Sequence, residues 1–236
     1  MIARWLIVLA CVSPTFAGEM ANRAQKLAAI RAHSILPESL RWVVKKHGNE
    51  LFEGIDAGMQ VPYTQVNGSV IDRETLRITE LIDGRAPFSR VVFQMGYVSG
   101  LLGQWLNPSK SRSETAQRGF DYYTNAKLQR FLFVFDGYDE LRQHATPSDY
   151  LSSVAGPLDN YGRLLDLNYH RIGGNWRYVF DERSAVFGVC AIYFSNVARC
   201  SAQLWRHAWH NARGDATKTP FVIVDASQLE SIQNAP

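Results

Sequence analysis

The chain predicts an all-α fold: a single-domain helical bundle. Three observations predict it. Apolar residues recur at helical spacing over most of the sequence, one pentad alone (Phe131 to Phe135) reads as a strand before the C-terminus, and Pro87 to Lys110 reads as a helix apolar on every side. No internal repeat, low-complexity tract or linker divides the chain.

The all-apolar stretch organises the rest. From Val91 to Ser109 it carries no charged residue, and Val91, Val92, Phe93, Met95, Tyr97, Val98, Leu101, Leu102, Trp105 and Leu106 point around the whole circumference of a helix. A membrane span is the competing reading. Gln94, Ser99, Gln104 and three glycines interrupt the run, which is itself shorter than the ~20 apolar residues a bilayer needs. Gly96, Gly100 and Gly103 fall at i, i+4 and i+7, a strip without side chains along one face. Each glycine costs roughly 1 kcal/mol against Ala in a helix interior. Something close must offset that cost: a tightly packed helix, or a ligand lying in the notch.

In chain order, the first 17 residues form an address. Arg4 is a short basic region, Trp5 to Val12 is apolar, and Thr15-Phe16-Ala17 is a small-residue exit, so a secretory signal cut after Ala17 is expected and the protein is exported, periplasmic or secreted. Val8-Leu9-Ala10-Cys11 also resembles a lipobox, whose alternative outcome is a lipid anchor on Cys11. The remaining 18–236, about 219 residues, suffice for one domain with a continuous core, and an irregular tail is expected from about 215. Losing Arg4 takes the formal charge from +3 to +2, too mild to argue for nucleic acid or a membrane surface.

Helices are expected over Ala21 to Ser34, with Leu27, Ile30, Ala24 and Ala28 on the inward side, and from Leu36-Pro37 through Ile55, kinked at Gly48. Met59 to Val70 reads as a loop. Asp72 is the expected cap of a helix with Leu76, Ile78, Leu81 and Ile82 inward, closed at Gly84. After the central helix, stopped by Asn107-Pro108, a helix follows over Ser113 to Arg130. The pentad Phe131 to Phe135 ends at Asp136-Gly137. Thr146-Pro147 starts a helix that Gly156-Pro157 interrupts, and Asp181 caps a long helix from Glu182 to Ala212. Phe221 to Val224 is a short apolar piece without a firm assignment.

Cys190 and Cys200 share that last helix, where ten residues separate them by about 15 Å. A disulfide needs Cα atoms within about 7 Å, so two buried thiols are expected. Of six histidines, His207 and His210 form an i, i+3 pair at a basic helix end and read as solvated there, while His47 reads as a core histidine with one partner. No Gly-rich phosphate loop, nucleophile elbow or paired-cysteine zinc motif is present.

Three pieces, LPESLRWVVKKHGNELFEGIDAG, MGYVSGLLGQWLNPSK and FDERSAVFGVCAIYFSNVARCSAQLWRHAWHNARGD, cover about a third of the chain. In pattern and spacing they resemble exported bacterial proteins of the zinc-dependent phospholipase C superfamily, which includes the fungal single-strand nucleases. The resemblance implies an all-α bundle holding three zinc ions that hydrolyse phosphodiesters, the metals polarising phosphoryl oxygens and generating hydroxide.

It also implies ligand positions, and most of them are altered. Where the family's central helix carries His, Asp and a second His, this chain has Gly100, Gln104 and Lys110. Where the next helix offers His and Glu, it has Asp121 and Asn125, and the mature end lacks the family's Trp and His.

The resemblance therefore implies a pseudoenzyme: a bundle without zinc or another cofactor, acting by binding. Gly100, Gln104, Lys110 and Asn125 are its candidate ligand-binding residues, and a small anionic ligand or phospholipid head group is the expected partner, with Lys110 supplying a fixed positive charge. The alternative is an active metal-dependent phosphodiesterase with relocated zinc ligands His47, Asp56 and Asp121. A third reading is an exported structural or partner-binding protein that shares only helical packing.

Overall fold

The computed structural model describes residues 16–138, 141 and 146–220. The expected leader up to residue 15, Cys11 with it, and the apolar piece 221–224 lie outside the described residues. Those described form an all-helical bundle, as expected. Its helices are α1 (Phe16–Ser34), α2 (Glu38–Lys46), α3 (Gly48–Met59), α4 (Gly68–Asp83), α5 (Phe88–Trp105), α6 (Glu114–Lys127), α7 (Pro147–Ala155), α8 (Leu158–Arg171) and α9 (Ala185–Asn211).

Local chemistry explains most boundaries. The expected kink near Gly48 is a full break at His47 (φ −117°, ψ 38°), which ends α2 and begins α3. The helix assigned to an Asp72 cap begins five residues earlier. Asn67 caps it, its Oδ1 accepting from the Val70 N–H at 3.0 Å, and so satisfies one of the donors left open at a helix start. Likewise Ser184, not Asp181, caps α9, accepting from the Phe187 N–H at 3.1 Å, while Asp181 forms a local turn by accepting from the Arg183 N–H. Ser113 and Thr146 cap α6 and α7 in the same manner.

The helix α9 runs through the molecule and packs on α1, α4, α5, α6 and α8. Trp205 is wholly buried and donates its indole N–H to the Met95 carbonyl at 2.9 Å; one turn away Ser99 and Ser201 share a hydrogen bond at 2.7 Å. These tie α9 to α5. It is also the one described helix long and apolar enough to cross a membrane, and over half of its most apolar window is buried in the bundle. Cys190 and Cys200 are buried thiols on it, as expected.

Two inward faces differ from expectation. On α1 the expected Ala24 and Ala28 are buried and Leu27 packs partly buried on the core, but Ile30 is 49% exposed, and Gln25, Ala29 and Ala32 complete the inward side. Small side chains let α1 approach α9 closely, so the buried stripe is centred on the alanines and leaves Ile30 at its outer edge. On α4, Leu76 is 57% exposed while Ile71, Thr75 and Ile78 are buried.

The pentad Phe131 to Phe135 is extended but pairs with no strand among the described residues. It lies along α9, with the Val134 N–H donating to Ser195 Oγ and Ser195 Oγ donating to the Val134 carbonyl, both at 3.0 Å. Its alternation still works: Phe131 packs on Phe187 and Phe194, while Leu132 and Val134 face out. The hydroxyl of one helical serine replaces a strand ladder.

The glycine strip is where backbone meets backbone. α5 packs most extensively on α3, which has its own glycines at 54 and 58. A Cβ on Gly100 would stand 2.5 Å from the Ile55 carbonyl oxygen and 2.8 Å from the Gly58 Cα; one on Gly96 would collide with the Leu51 carbonyl. Of the two expected occupants of the strip, a helix fills the places beside Gly96 and Gly100.

These contacts predict a sharp contrast within one pair of helices. Gly96→Ala and Gly100→Ala should each lower stability by about 3 kcal/mol in urea denaturation, overpacking outweighing the gain in helix propensity. Gly48→Ala, with nothing within 4 Å of its Cβ position, should change it by under about 1 kcal/mol. Equal effects at the three positions would contradict the backbone contact.

Candidate functional site

Gly103, the last glycine of the strip, leads from the helix pair to the site. The atoms nearest its Cβ position are Gln25 Cγ at 2.7 Å and Gln25 Nε2 at 2.8 Å, so its missing side chain is the seat of a glutamine from α1. Gln25 is 3% exposed. Its amide donates to Tyr193 Oη on α9, and Tyr193 Oη donates to the Gly103 carbonyl at 3.0 Å. This relay fixes which way the amide points. The tyrosine proton is committed to a carbonyl, so Gln25 must donate to Tyr193 with Nε2, and its Oε1 is left without a partner.

Gln25 and Tyr193 line a cavity of about 20 Å³ together with Ala24, Met59, Asn107, Phe120, Asp121, Thr124 and Asn125. On α6 the three polar members stand at i, i+3 and i+4, one face of one turn. The Asn125 amide nitrogen donates to the Asp121 backbone carbonyl at 2.8 Å, so its Oδ1 is a second acceptor without a partner. Thr124 is 3% exposed, its hydroxyl beside the Cys190 thiol. Asn107, from the turn after α5, has its Oδ1 occupied by the backbone N–H and hydroxyl of Ser109 at 2.8 and 2.7 Å.

Asp121 is the one carboxylate at the cavity. Burial raises it from 3.8 to about 6, with no cation offsetting the cost. The titratable groups facing it are Tyr193 and Cys190 on α9 and Tyr169 on α8; burial first, then the Asp121 charge among other neighbours, pushes each upward. All three stay neutral near pH 7.

Of the expected ligand-binding residues, Asn125 alone lines this cavity. Gly100 is covered by α3. Gln104 donates its amide to the carbonyl of Met59, the last residue of α3, and Lys110 donates to the Trp105 carbonyl at the end of α5 at 2.6 Å. Both side chains therefore satisfy open carbonyls at helix ends, and the lysine adds a favourable charge to the end of the dipole. Lys110 lines a neighbouring cleft with Trp105, Arg112 and Asp159, where burial lowers its pKa. It does not supply the cavity with a positive charge.

Nor do the alternative zinc ligands converge. Asp56 pairs with Lys26 at 2.8 Å and His47 with Glu50 at 3.4 Å. His47 sits at the N-cap of α3 and Asp56 lies nine residues further along that helix, about 13.5 Å away, too far for one ion. His207, at the basic end of α9, is part-buried and contacts Asn211 at 2.9 Å, with burial lowering its pKa, whereas His210 is exposed as expected.

No family model matches the chain, and no curated protein or solved structure matches it. The site thus stands on its geometry. The zinc that the resemblance implies wants three or four nitrogen, sulfur or carboxylate ligands. One carboxylate and two amide oxygens do not fit it.

Sequence reasoning missed Gln25, Thr124 and Tyr193. A glutamine between Ala24 and the later alanines of α1 was the available signal for the first, once the alanine stripe is taken as the buried one. Tyr193 had none, since a tyrosine in an apolar helix looks like core.

The raised pKa of Asp121 carries a pH dependence of stability. The neutral acid is favoured in the fold, so its contribution is fully present below pH 3.8 and is lost as pH climbs through about 6. At pH 7.5 the ionised group costs up to about 3 kcal/mol, less whatever its partial exposure recovers, so about 1–3 kcal/mol. Asp121→Asn should therefore stabilise the protein by about that amount at pH 7.5 in a low-salt buffer, the gain shrinking toward zero at pH 4. Urea denaturation at the two pH values measures it; a gain independent of pH would contradict the burial of a charge.

Proposed function

We propose that this chain is an exported helical-bundle protein that works by binding a small ligand in the Asp121 cavity, and not by zinc-dependent hydrolysis. One observation carries the reading. A carboxylate is held at a cost in stability beside two amide oxygens, Gln25 Oε1 and Asn125 Oδ1, that have no partner. Proteins tolerate such groups where function requires them.

The polarity of the cavity names the ligand class. Its unpartnered groups are two amide oxygens, which only accept, and the Thr124 hydroxyl, which can accept or donate; with a formal charge that is negative when Asp121 is ionised, the cavity favours a hydrogen-bond donor or a cation over the anionic ligand first expected. That expectation depended on Lys110, whose ammonium is bound to the Trp105 carbonyl.

The relation to the zinc-dependent phospholipase C superfamily belongs to this proposal: a descendant that keeps the bundle and has replaced the ligands at positions 100, 104, 110 and 125. The all-helical architecture is compatible with it. Export rests on the N-terminal sequence.

The purified mature protein, incubated with zinc and dialysed, should hydrolyse a chromogenic phosphodiester no faster than buffer, with less than one zinc retained per chain by elemental analysis. Two or more zinc ions per chain, together with hydrolysis that Asp121→Ala abolishes, would restore the phosphodiesterase reading.

A further inference from the structure

Resting on that reading, the same cavity can be given a ligand of definite chemistry. About 20 Å³ is room for one atom-sized species, since a single water needs roughly 10–15 Å³ by this measure. The occupant must satisfy acceptors contributed by two helices. Gln25, nine-tenths buried and more, lines the cavity from α1 with its Oε1 unpartnered; Asn125 lines it from α6 with its Oδ1 unpartnered; Asp121 adds a carboxylate one turn before Asn125. No ion pair joins Asp121 to a cationic side chain among the described residues, and Lys26, on α1 like Gln25, is paired with Asp56.

An oxygen-only set with a single negative charge selects by charge and hardness. Zinc prefers nitrogen and sulfur. Calcium takes six to eight oxygens, several usually from carboxylates, and magnesium keeps its waters in an octahedron too large for this space. Either divalent ion would leave an uncompensated positive charge in a buried place. A monovalent ion cancels the charge of Asp121 and is satisfied by neutral amide oxygens.

We infer that the cavity is a monovalent-cation site, in which a sodium- or potassium-sized ion is held by the Asp121 carboxylate, Gln25 Oε1 and Asn125 Oδ1. The ion joins α1 to α6 and replaces the missing counter-charge of a buried acid. Because the Gln25 amide is oriented by Tyr193 and Gly103, the acceptor is in place before the ion arrives.

The test is thermal unfolding of the full mature chain at pH 7.5 in sodium, potassium or choline chloride at matched ionic strength. Choline is too large for the cavity and serves as the blank. Sodium or potassium should raise the melting temperature above choline by about 3–8 °C, saturating with concentration as for one site. Asp121→Asn should remove the difference between the salts while remaining folded, and Asn125→Ala, which keeps the carboxylate, should shift saturation to at least about tenfold higher concentration.

Equal melting temperatures in the three salts, or a difference that survives Asp121→Asn, would overturn the cation site and favour a trapped water. Either result, obtained with no phosphodiester hydrolysis, sinks this inference alone; zinc-supported hydrolysis sinks the reading beneath it.

Discussion

The contact on which the rest of the molecule depends is the one between the backbones of α3 and α5. Gly54 and Gly58 on one helix meet Gly96 and Gly100 on the other so closely that no side chain can intervene at these places. The glycines give up helix propensity at four positions, and the return is dispersion between main chains and a fixed depth of approach. That depth sets the level of everything built on α5: the carbonyls of Met95 and Gly103 that Trp205 and Tyr193 engage, and the seat of Gln25. A methyl group at Gly96 or Gly100 would lift one helix off the other and carry the cavity wall with it.

The polar groups of the central region divide between two duties. Gln104 and Lys110 close helix ends, an ordinary structural need that every helix has. Gln25, Asp121 and Asn125 close nothing. Their hydrogen-bonding capacity is left over after the fold has taken what it requires, and that surplus, not the identity of the residues, distinguishes a site from a cap.

Much of the fold was legible because its signals are local. The helix starts near Ser113 and Thr146, the Pro108 stop and the uniformly apolar α5 follow from chemistry within a few residues. Asp72 and Asp181 misled because an acidic residue near a helix start is a good cap in general, while Asn67 and Ser184 stood nearer the first free N–H groups. Phe131 to Phe135 has strand alternation without a partner strand, and alternation reports burial on one side, not pairing. The site was half legible. Asp121 and Asn125 came from a resemblance on one helix, but Gln25 and Tyr193 are separated by 168 residues and are joined only by the approach of α1 to α9. Gly100, Gln104 and Lys110 were aligned with ligand positions by spacing, which cannot tell a side chain facing a cavity from one turned onto a neighbouring carbonyl.

The Gln25–Tyr193–Gly103 relay has an evolutionary implication. An amide is symmetric in shape and opposite in polarity at its two ends, and here a single phenol proton decides which end is offered to the cavity. A lineage that exchanged Tyr193 for phenylalanine would free Gln25 to rotate and present nitrogen in place of oxygen. The wall would then repel what it now attracts, through a change in a residue whose ring still packs on Phe120. Ligand preference in such a bundle can thus invert by one substitution that leaves the packed volume nearly untouched.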